Sequence, residues 1–100
     1  MADFRNAGTD RGDLSKEAKH LLISARIRRE EYLNIIDELD RDELEYDLIE
    51  YKTLLEKEVL PVYQKARSIG VRSLVETAEE LKSIYEEIIS IIETKLSQGT

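Results

Sequence analysis

Few residues in this chain carry side chains that could do catalytic or metal chemistry. Its only histidine, His20, follows Glu17 by three positions, the Glu-x-x-His spacing used in di-iron carboxylate centres. Such a centre also needs a second Glu-x-x-His pair and inward-facing glutamates from other helices. A second copy of the chain could supply the pair, but the glutamates would still have to face inward. We interpret His20 as a partly exposed structural residue and expect no metal.

An acidic stretch lies near the middle of the chain, with only Arg41 to offset it: Asp37, Glu38, Asp40, Asp42, Glu43, Glu45, Asp47 and Glu50. Such a cluster could bind a divalent cation or a basic patch on a partner. The spacing differs from the 12-residue calcium loop because no glycine stands at its sixth position. A solvated acidic corner, stabilised by a helix N-terminal dipole, is the simpler interpretation.

Basic side chains are concentrated near the start of the chain. Residues 1–29 carry a net charge of +3 and the remaining residues −10. Arg28 and Arg29, with Lys16 and Lys19 nearby, are candidates for an auxiliary nucleic-acid contact, but no aromatic stacking platform accompanies them. The net charge of −7 argues against binding through simple counterion release. We expect direct nucleic-acid binding to be weak or absent.

The remaining chemistry is sparse. The sequence has no cysteine, no Gly-rich phosphate loop and no Ser/His/Asp set beyond scattered residues. We therefore expect a protein that is not an enzyme and needs no cofactor. No apolar run approaches the roughly 20 residues that span a bilayer, and no signal-peptide core is present at the N-terminus. We expect a cytoplasmic protein that does not bind membranes.

Apolar periodicity predicts three helices. The first begins near Asp13 or Ser15. Its core stripe consists of Leu14, Ala18, Leu21, Ala25, Tyr32, Ile36 and Leu39. The next core residue, Leu44, comes five positions later, a step that a continuous helix does not make. Because Asp40 and Glu43 also have capping-box spacing, we predict a turn at residues 39–41.

The second predicted helix runs from about Arg41 to Ser68 and contains Pro61, which predicts a kink. Gly70 then supplies a left-handed stop, and Ser73 with Glu76 forms a second predicted capping box. The third helix runs from about Leu74 to Leu96. Its seam consists of Leu74, Ala78, Leu81, Tyr85, Ile88 and Ile92, and it is widened by Ile84, Ile89 and Ile91.

Short connections between three such helices predict an all-α, up-down-up three-helix bundle with tight turns near Asp40 and Gly70. One domain is expected over residues 14–97, with a flexible N-terminal tail at 1–13 and a frayed end at 98–100. If the chain stayed nearly straight at Asp40, the first two helices would form one rod. A second chain would then complete the core, giving a homodimer of helical hairpins.

The first two helices are apolar on more than one side. Ile23 and Ile27 lie opposite the core stripe of the first helix. On the second helix the core stripe is Leu44, Leu48, Tyr51, Leu55, Val59, Val62 and Ala66, whereas Tyr46, Ile49, Thr53 and Leu60 fall on the other side. A small bundle needs one apolar face per helix, so a second face indicates another protein surface.

These patterns predict a partner-binding surface of Ile23, Ile27, Tyr46, Ile49 and Leu60, with a second candidate around Ile89 and Ile91. We expect a protein–protein interaction module that serves as a small accessory subunit of a larger complex. A homodimer without an outside partner and an auxiliary DNA-contacting protein are the alternatives.

The composition resembles that of proteins from thermophilic archaea: charged residues are dense, isoleucine is frequent, and Asn and Gln are limited to Asn6, Asn34, Gln64 and Gln98. In size, charge and helix plan over residues 14–96, the chain resembles the small accessory subunits of crenarchaeal replicative B-family DNA polymerases. The resemblance implies a role in holding or stabilising a polymerase, with an auxiliary contact to DNA. No residue motif carries it, so no functional residue is transferred.

Overall fold

The computed structural model describes the backbone of residues 2–98 and the side chains of residues 12–98. Its elements are α1 (Ala2–Ile35), a 3-10 turn (Ile36–Glu38), α2 (Arg41–Leu54), a π-helical segment (Leu55–Val59), α3 (Leu60–Ile69) and α4 (Arg72–Gln98). Because α2, the π-helical segment and α3 follow one another without a break, residues 2–98 form three helical rods. The predicted all-α helical bundle is confirmed. The predicted tail and frayed end fall largely outside the described side chains.

The chain leaves the helical conformation at Leu39 and Asp40, both of which have extended backbones. The Asp40 side chain accepts a hydrogen bond from the Glu43 backbone N–H at 2.9 Å. In return, the Glu43 side chain accepts one from the Asp40 backbone N–H at 3.0 Å. The predicted capping box and turn are therefore confirmed. The first helix ends earlier than Leu39, because α1 closes at Ile35 and a 3-10 turn follows.

The second break lies at Gly70, whose φ of 80° is in the left-handed region that glycine tolerates best. Its N–H donates to the Ala66 carbonyl at 2.9 Å, which closes α3 as predicted. The capping box predicted at Ser73 and Glu76 is wrong. Since α4 already begins at Arg72, Ser73 lies inside the helix. Asp13 and Ser15 likewise lie inside α1.

Pro61 follows a π-helical segment, which accommodates the proline within a continuous helix. Proline lacks an N–H, and its ring crowds the carbonyl four residues earlier, which belongs to Lys57. In the segment just before it the helix widens, and the Leu60 N–H donates to the Leu55 carbonyl five residues back. A wider turn relieves the crowding without ending the helix. The predicted kink stays a prediction.

The last helix, α4, is the centre of the packing and contacts α1, α2, the π-helical segment and α3. Its buried side chains are Leu74, Ala78, Leu81, Ile84, Tyr85, Ile88, Ile89 and Ile92. They include every residue of the predicted seam. The face is broad because Ile84 and Ile89 extend it on either side, so α4 can hold two neighbours at once.

Both other rods are also joined to α4 by ion pairs on the bundle surface. Arg26 and Arg29 of α1 pair with Glu80 and Glu87, the second pair at 3.1 Å. Lys52 of α2 reaches Glu93 at 3.4 Å, and Asp37 of the 3-10 turn pairs with Lys95. Exposed pairs of this kind each contribute little to stability, typically about 0.2–1 kcal/mol.

The core consists of two clusters that differ in side-chain size. One contains the small residues Ala18, Ala66 and Ala78, and here α1 and α3 approach closely. The other contains Tyr32 and Tyr85, with Tyr51 packed against it. Within residues 12–98, no Cα of α1 lies within 8 Å of an α2 Cα. Alanines therefore bring the rods together in one cluster, and tyrosines hold α1 and α2 apart in the other.

The buried face of α1 is close to the predicted stripe but is not identical to it. Leu22 is buried, whereas the predicted core residue Leu21 is half-buried and packs against both clusters. Leu21 therefore makes the two clusters continuous.

Replacement of Asp40 with alanine tests the capping box. It removes the acceptor for the Glu43 N–H, so we expect the free energy of unfolding to fall by about 1 kcal/mol. Urea denaturation followed by circular dichroism measures this. Glu79→Ala, which truncates an exposed acid in the interior of α4, is the matched control and should change stability by less than about 0.5 kcal/mol. Equal losses in both variants would show that the cap contributes nothing specific.

Candidate interaction surfaces

On α1, two large aliphatic side chains face away from the core. Ile23 is 53% exposed and Ile27 is 52% exposed. Lys19 and Lys16, one and two turns before Ile23, are exposed on the same side of the helix. We call these four residues the α1 outer surface. It combines an apolar centre with a basic end.

On α2, the exposed side is both apolar and acidic. Tyr46 is 67% exposed and Ile49 is 68% exposed, the largest values among the exposed apolar residues of the described chain. Asp42 and Glu50 are exposed beside them. We call these four residues the α2 outer surface. A shallow groove crosses it, lined by Tyr46, Ile49, Glu50, Thr53 and Leu54.

The two outer surfaces do not merge into one patch. Each lies on the opposite side of its helix from the core stripe, taking about 100° per residue. Since both core stripes face the same bundle interior, the outer surfaces point away from it in different directions. The sequence identified the four exposed residues, but it grouped them into a single docking surface.

Three of the predicted partner-binding residues are less accessible than expected. Ile89 is only 8% exposed and belongs to the α4 core face, so it does not form an open surface. Ile91 is half-buried against the tyrosine-containing cluster. Leu60 is half-buried at the end of the π-helical segment. Extrapolating an ideal helix across that segment misplaces Leu60, because the wider turn changes the rotation of the residues after it.

Three exposed apolar residues were not predicted from the sequence. Leu33 and Ile35 near the end of α1 are 44% and 45% exposed, and Val71 beside Gly70 is 37% exposed. Leu33 and Ile35 lie on either side of the α1 core stripe. They therefore belong neither to the predicted core nor to the side opposite it, and the helical period did not select them. Their neighbour Ile36 is buried.

The predicted nucleic-acid residues are dispersed. Arg29 points toward α4, where Glu87 neutralises it at 3.1 Å. Arg28 lies on another side of α1, close enough to Tyr51 and Tyr85 to influence their ionisation. Lys16 and Lys19 remain exposed a few turns earlier. The four side chains therefore do not form a continuous basic stripe.

Much of the acidic corner serves the fold. Asp40 and Glu43 form the capping box, and Asp37 pairs with Lys95. Glu45 pairs with Arg41 at 3.4 Å.

The described side chains hold no metal-binding cluster. Among the residues whose side chains are described, no group of three or more His, Cys, Asp or Glu could hold a metal ion. His20 and Glu17 belong to this part of the chain, and both are exposed.

A tyrosine from each rod meets in the second core cluster. The rings of Tyr32 and Tyr51 are 5.5 Å apart edge to face, and those of Tyr51 and Tyr85 are 6.0 Å apart. The Tyr32 hydroxyl donates to the Asp47 carboxylate at 2.9 Å. Burial, followed by this hydrogen bond, holds the pKa of Tyr32 well above its ordinary value of about 10. The hydrogen bond bridges the gap between α1 and α2.

Burial also raises the pKa of Tyr51 and the pKa of Tyr85, although the positive charge of Arg28 partly opposes both shifts. A cation near a phenol favours the ionised form of that phenol.

No helix within the described part of the chain is both long enough and apolar enough to cross a membrane. Comparison of the chain with protein-family models, with curated proteins and with solved structures gives no match in any of the three.

Tyr32→Phe tests the bridge between α1 and α2. Removing the hydroxyl leaves the half-buried Asp47 carboxylate without its donor, so we expect a loss of about 1 kcal/mol at neutral pH. The unfolded chain releases the phenolic proton near pH 10, while the folded chain keeps it to a higher pH. Wild-type stability should therefore fall as pH rises above about 10, and Tyr32→Phe should fall less steeply.

Urea titrations at several pH values measure both effects. Tyr46→Phe is the control, because Tyr46 is exposed and should behave like the wild type. The same alkaline slope for Tyr32→Phe and wild type would contradict the assignment to Tyr32.

Proposed function

We propose that this chain is a non-enzymatic protein–protein interaction module, a small accessory or stabilising subunit of a larger complex. The observation that carries the proposal is the exposure of four large apolar side chains: Ile23, Ile27, Tyr46 and Ile49. Burying such side chains contributes roughly 25 cal/mol per Å² of apolar surface. Aromatic and aliphatic anchors of this type are common at the centres of protein interfaces.

The composition and helix plan support one class of partner, an archaeal DNA polymerase holoenzyme. The role would be to stabilise the polymerase in the cytoplasm, with DNA contact limited to an auxiliary part. The dispersal of Arg28, Arg29, Lys16 and Lys19 favours protein contact over DNA contact. The break at Asp40 supports a bundle made by one chain over the straight rod that a homodimer of helical hairpins would use.

We also infer that the three rods run up, down and up. Leu14, in the first half of α1, shares a cluster with Ala66 near the end of α3 and Leu74 near the start of α4. Ile36, just after α1, shares the other cluster with Leu44 of α2 and Ile92 of α4. This pairing of ends supports antiparallel neighbours.

The test replaces one residue on each outer surface. Ile27→Asp and Ile49→Asp, singly and together, should leave the circular dichroism spectrum unchanged. The free energy of unfolding in urea should stay within about 0.5 kcal/mol of the wild type. Co-purification of a partner from native cells, identified by mass spectrometry, should be lost in at least one variant. Leu60 is unsuitable for this test because it is half-buried.

Gln64→Asp provides the control, since it adds the same charge at an exposed position of α3 away from both surfaces. It should keep the partner. If Ile27→Asp or Ile49→Asp unfolds the chain, these residues belong to the core and the proposal fails. If all variants capture the same partner as the wild type, the outer surfaces are not the docking site.

A further inference from the structure

The two outer surfaces carry opposite charges, and on each of them a charged residue precedes the first apolar anchor by four positions. On α1, Lys19 precedes the first apolar anchor, Ile23, by one turn of four residues. On α2, Asp42 precedes its first anchor, Tyr46, by the same four residues. All four side chains are exposed. Within residues 12–98, neither Lys19 nor Asp42 forms an ion pair.

We propose that the occupant of each outer surface is a second copy of this chain, with the α1 outer surface of one copy against the α2 outer surface of the next. The inference rests on the proposed function, because it uses the same two surfaces for docking. Both are single helix faces with two anchors, Ile23 and Ile27 on one side and Tyr46 and Ile49 on the other. Charge complementarity selects the pairing of unlike surfaces.

Charge also selects the direction of the helices. When α1 of one copy runs parallel to α2 of the next, the anchors face each other and Lys19 lies opposite Asp42. In the antiparallel arrangement Glu30 lies opposite Asp42 instead. Glu30 is an exposed acid three residues after Ile27. Two like charges would then meet across the contact, so the parallel arrangement is favoured.

Each chain can use its α1 outer surface for one neighbouring copy and its α2 outer surface for another, so the same contact can repeat along a series of copies. On one chain the two outer surfaces point in different directions, so they serve different neighbours. A contact between unlike surfaces is heterologous and leads to rings or open chains of copies. Stable interfaces bury roughly 800 Å² per partner, and two anchors on each side provide less than that. The association is therefore weak and reversible, and salt weakens it further.

Sedimentation velocity from about 1 μM to about 1 mM protein tests the proposal. The wild type should shift from monomer to larger species as concentration rises. Ile27→Asp and Ile49→Asp each lose one surface and should stay monomeric alone. Mixed together, they should form a dimer and nothing larger, because only one intact pair of surfaces remains. Gln64→Asp should associate like the wild type.

Exchanging the charges of Lys19 and Asp42 tests whether α1 of one copy runs parallel to α2 of the next. Lys19→Asp and Asp42→Lys each place like charges opposite one another, so each should weaken association at low salt. The double variant restores an opposite pair in reversed order and should recover the association of the wild type. Circular dichroism on each variant verifies that the helices are retained.

A wild-type chain that stays monomeric at the highest concentration overturns the proposal. So does an Ile27→Asp chain that associates like the wild type, since it would show that α2 surfaces meet each other. Failure to recover association in the double charge variant overturns the parallel arrangement. If self-association is absent but an outside partner is still lost in Ile49→Asp, this inference fails while the proposed function stands.

Discussion

Burial of the broad apolar face of α4 is the constraint on which the rest of this structure depends. Its aliphatic side chains cover too wide an arc for one neighbour to shield them. Two rods must therefore lie on α4 side by side, and the breaks at Asp40 and Gly70 let one chain supply both. The surface ion pairs and the capping box then refine an arrangement that hydrophobic burial already requires.

Short stretches of sequence were sufficient to predict helix ends and the buried face of α4, because these features depend on local backbone geometry and spacing. Glu43 stands three residues after Asp40, and the apolar stripe skips from Leu39 to Leu44 at the same point. The two signals together specify a helix start, whereas the same spacing alone, at Ser73 and Glu76, does not. Gly70 specifies a left-handed stop. The regular spacing of apolar residues from Leu74 to Ile92 specifies the seam of α4. Each of these depends on a few neighbouring residues, so it could be predicted without the tertiary structure.

Other features depend on packing between elements and could not be predicted in this way. Pro61 indicates a disturbance, but a kink, a break and a π-helical segment all relieve the same steric conflict. Arg26 has a neighbour at Glu30 on its own helix, yet it pairs with Glu80, 54 residues later. Leu60 comes directly after the π-helical segment, so its exposure could not be inferred from an ideal helical period. The exposure of Ile23, Ile27, Tyr46 and Ile49 could be predicted because these residues lie in regular α-helix, where the helical period gives the side that each residue faces.

The separation of α1 from α2 has a consequence for the order in which the chain folds. The contacts of α3 with α4 close a short loop around Gly70, whereas α1 reaches α4 through pairs such as Arg29 and Glu87, 58 residues apart. Closing a longer loop costs more entropy before any contact compensates for it. Since α1 contacts α2 only through side chains such as Tyr32 and packs its backbone mainly against α4, we expect α1 to need α4 in place first. We therefore expect the hairpin from Arg41 to Gln98 to form first and α1 to join it last.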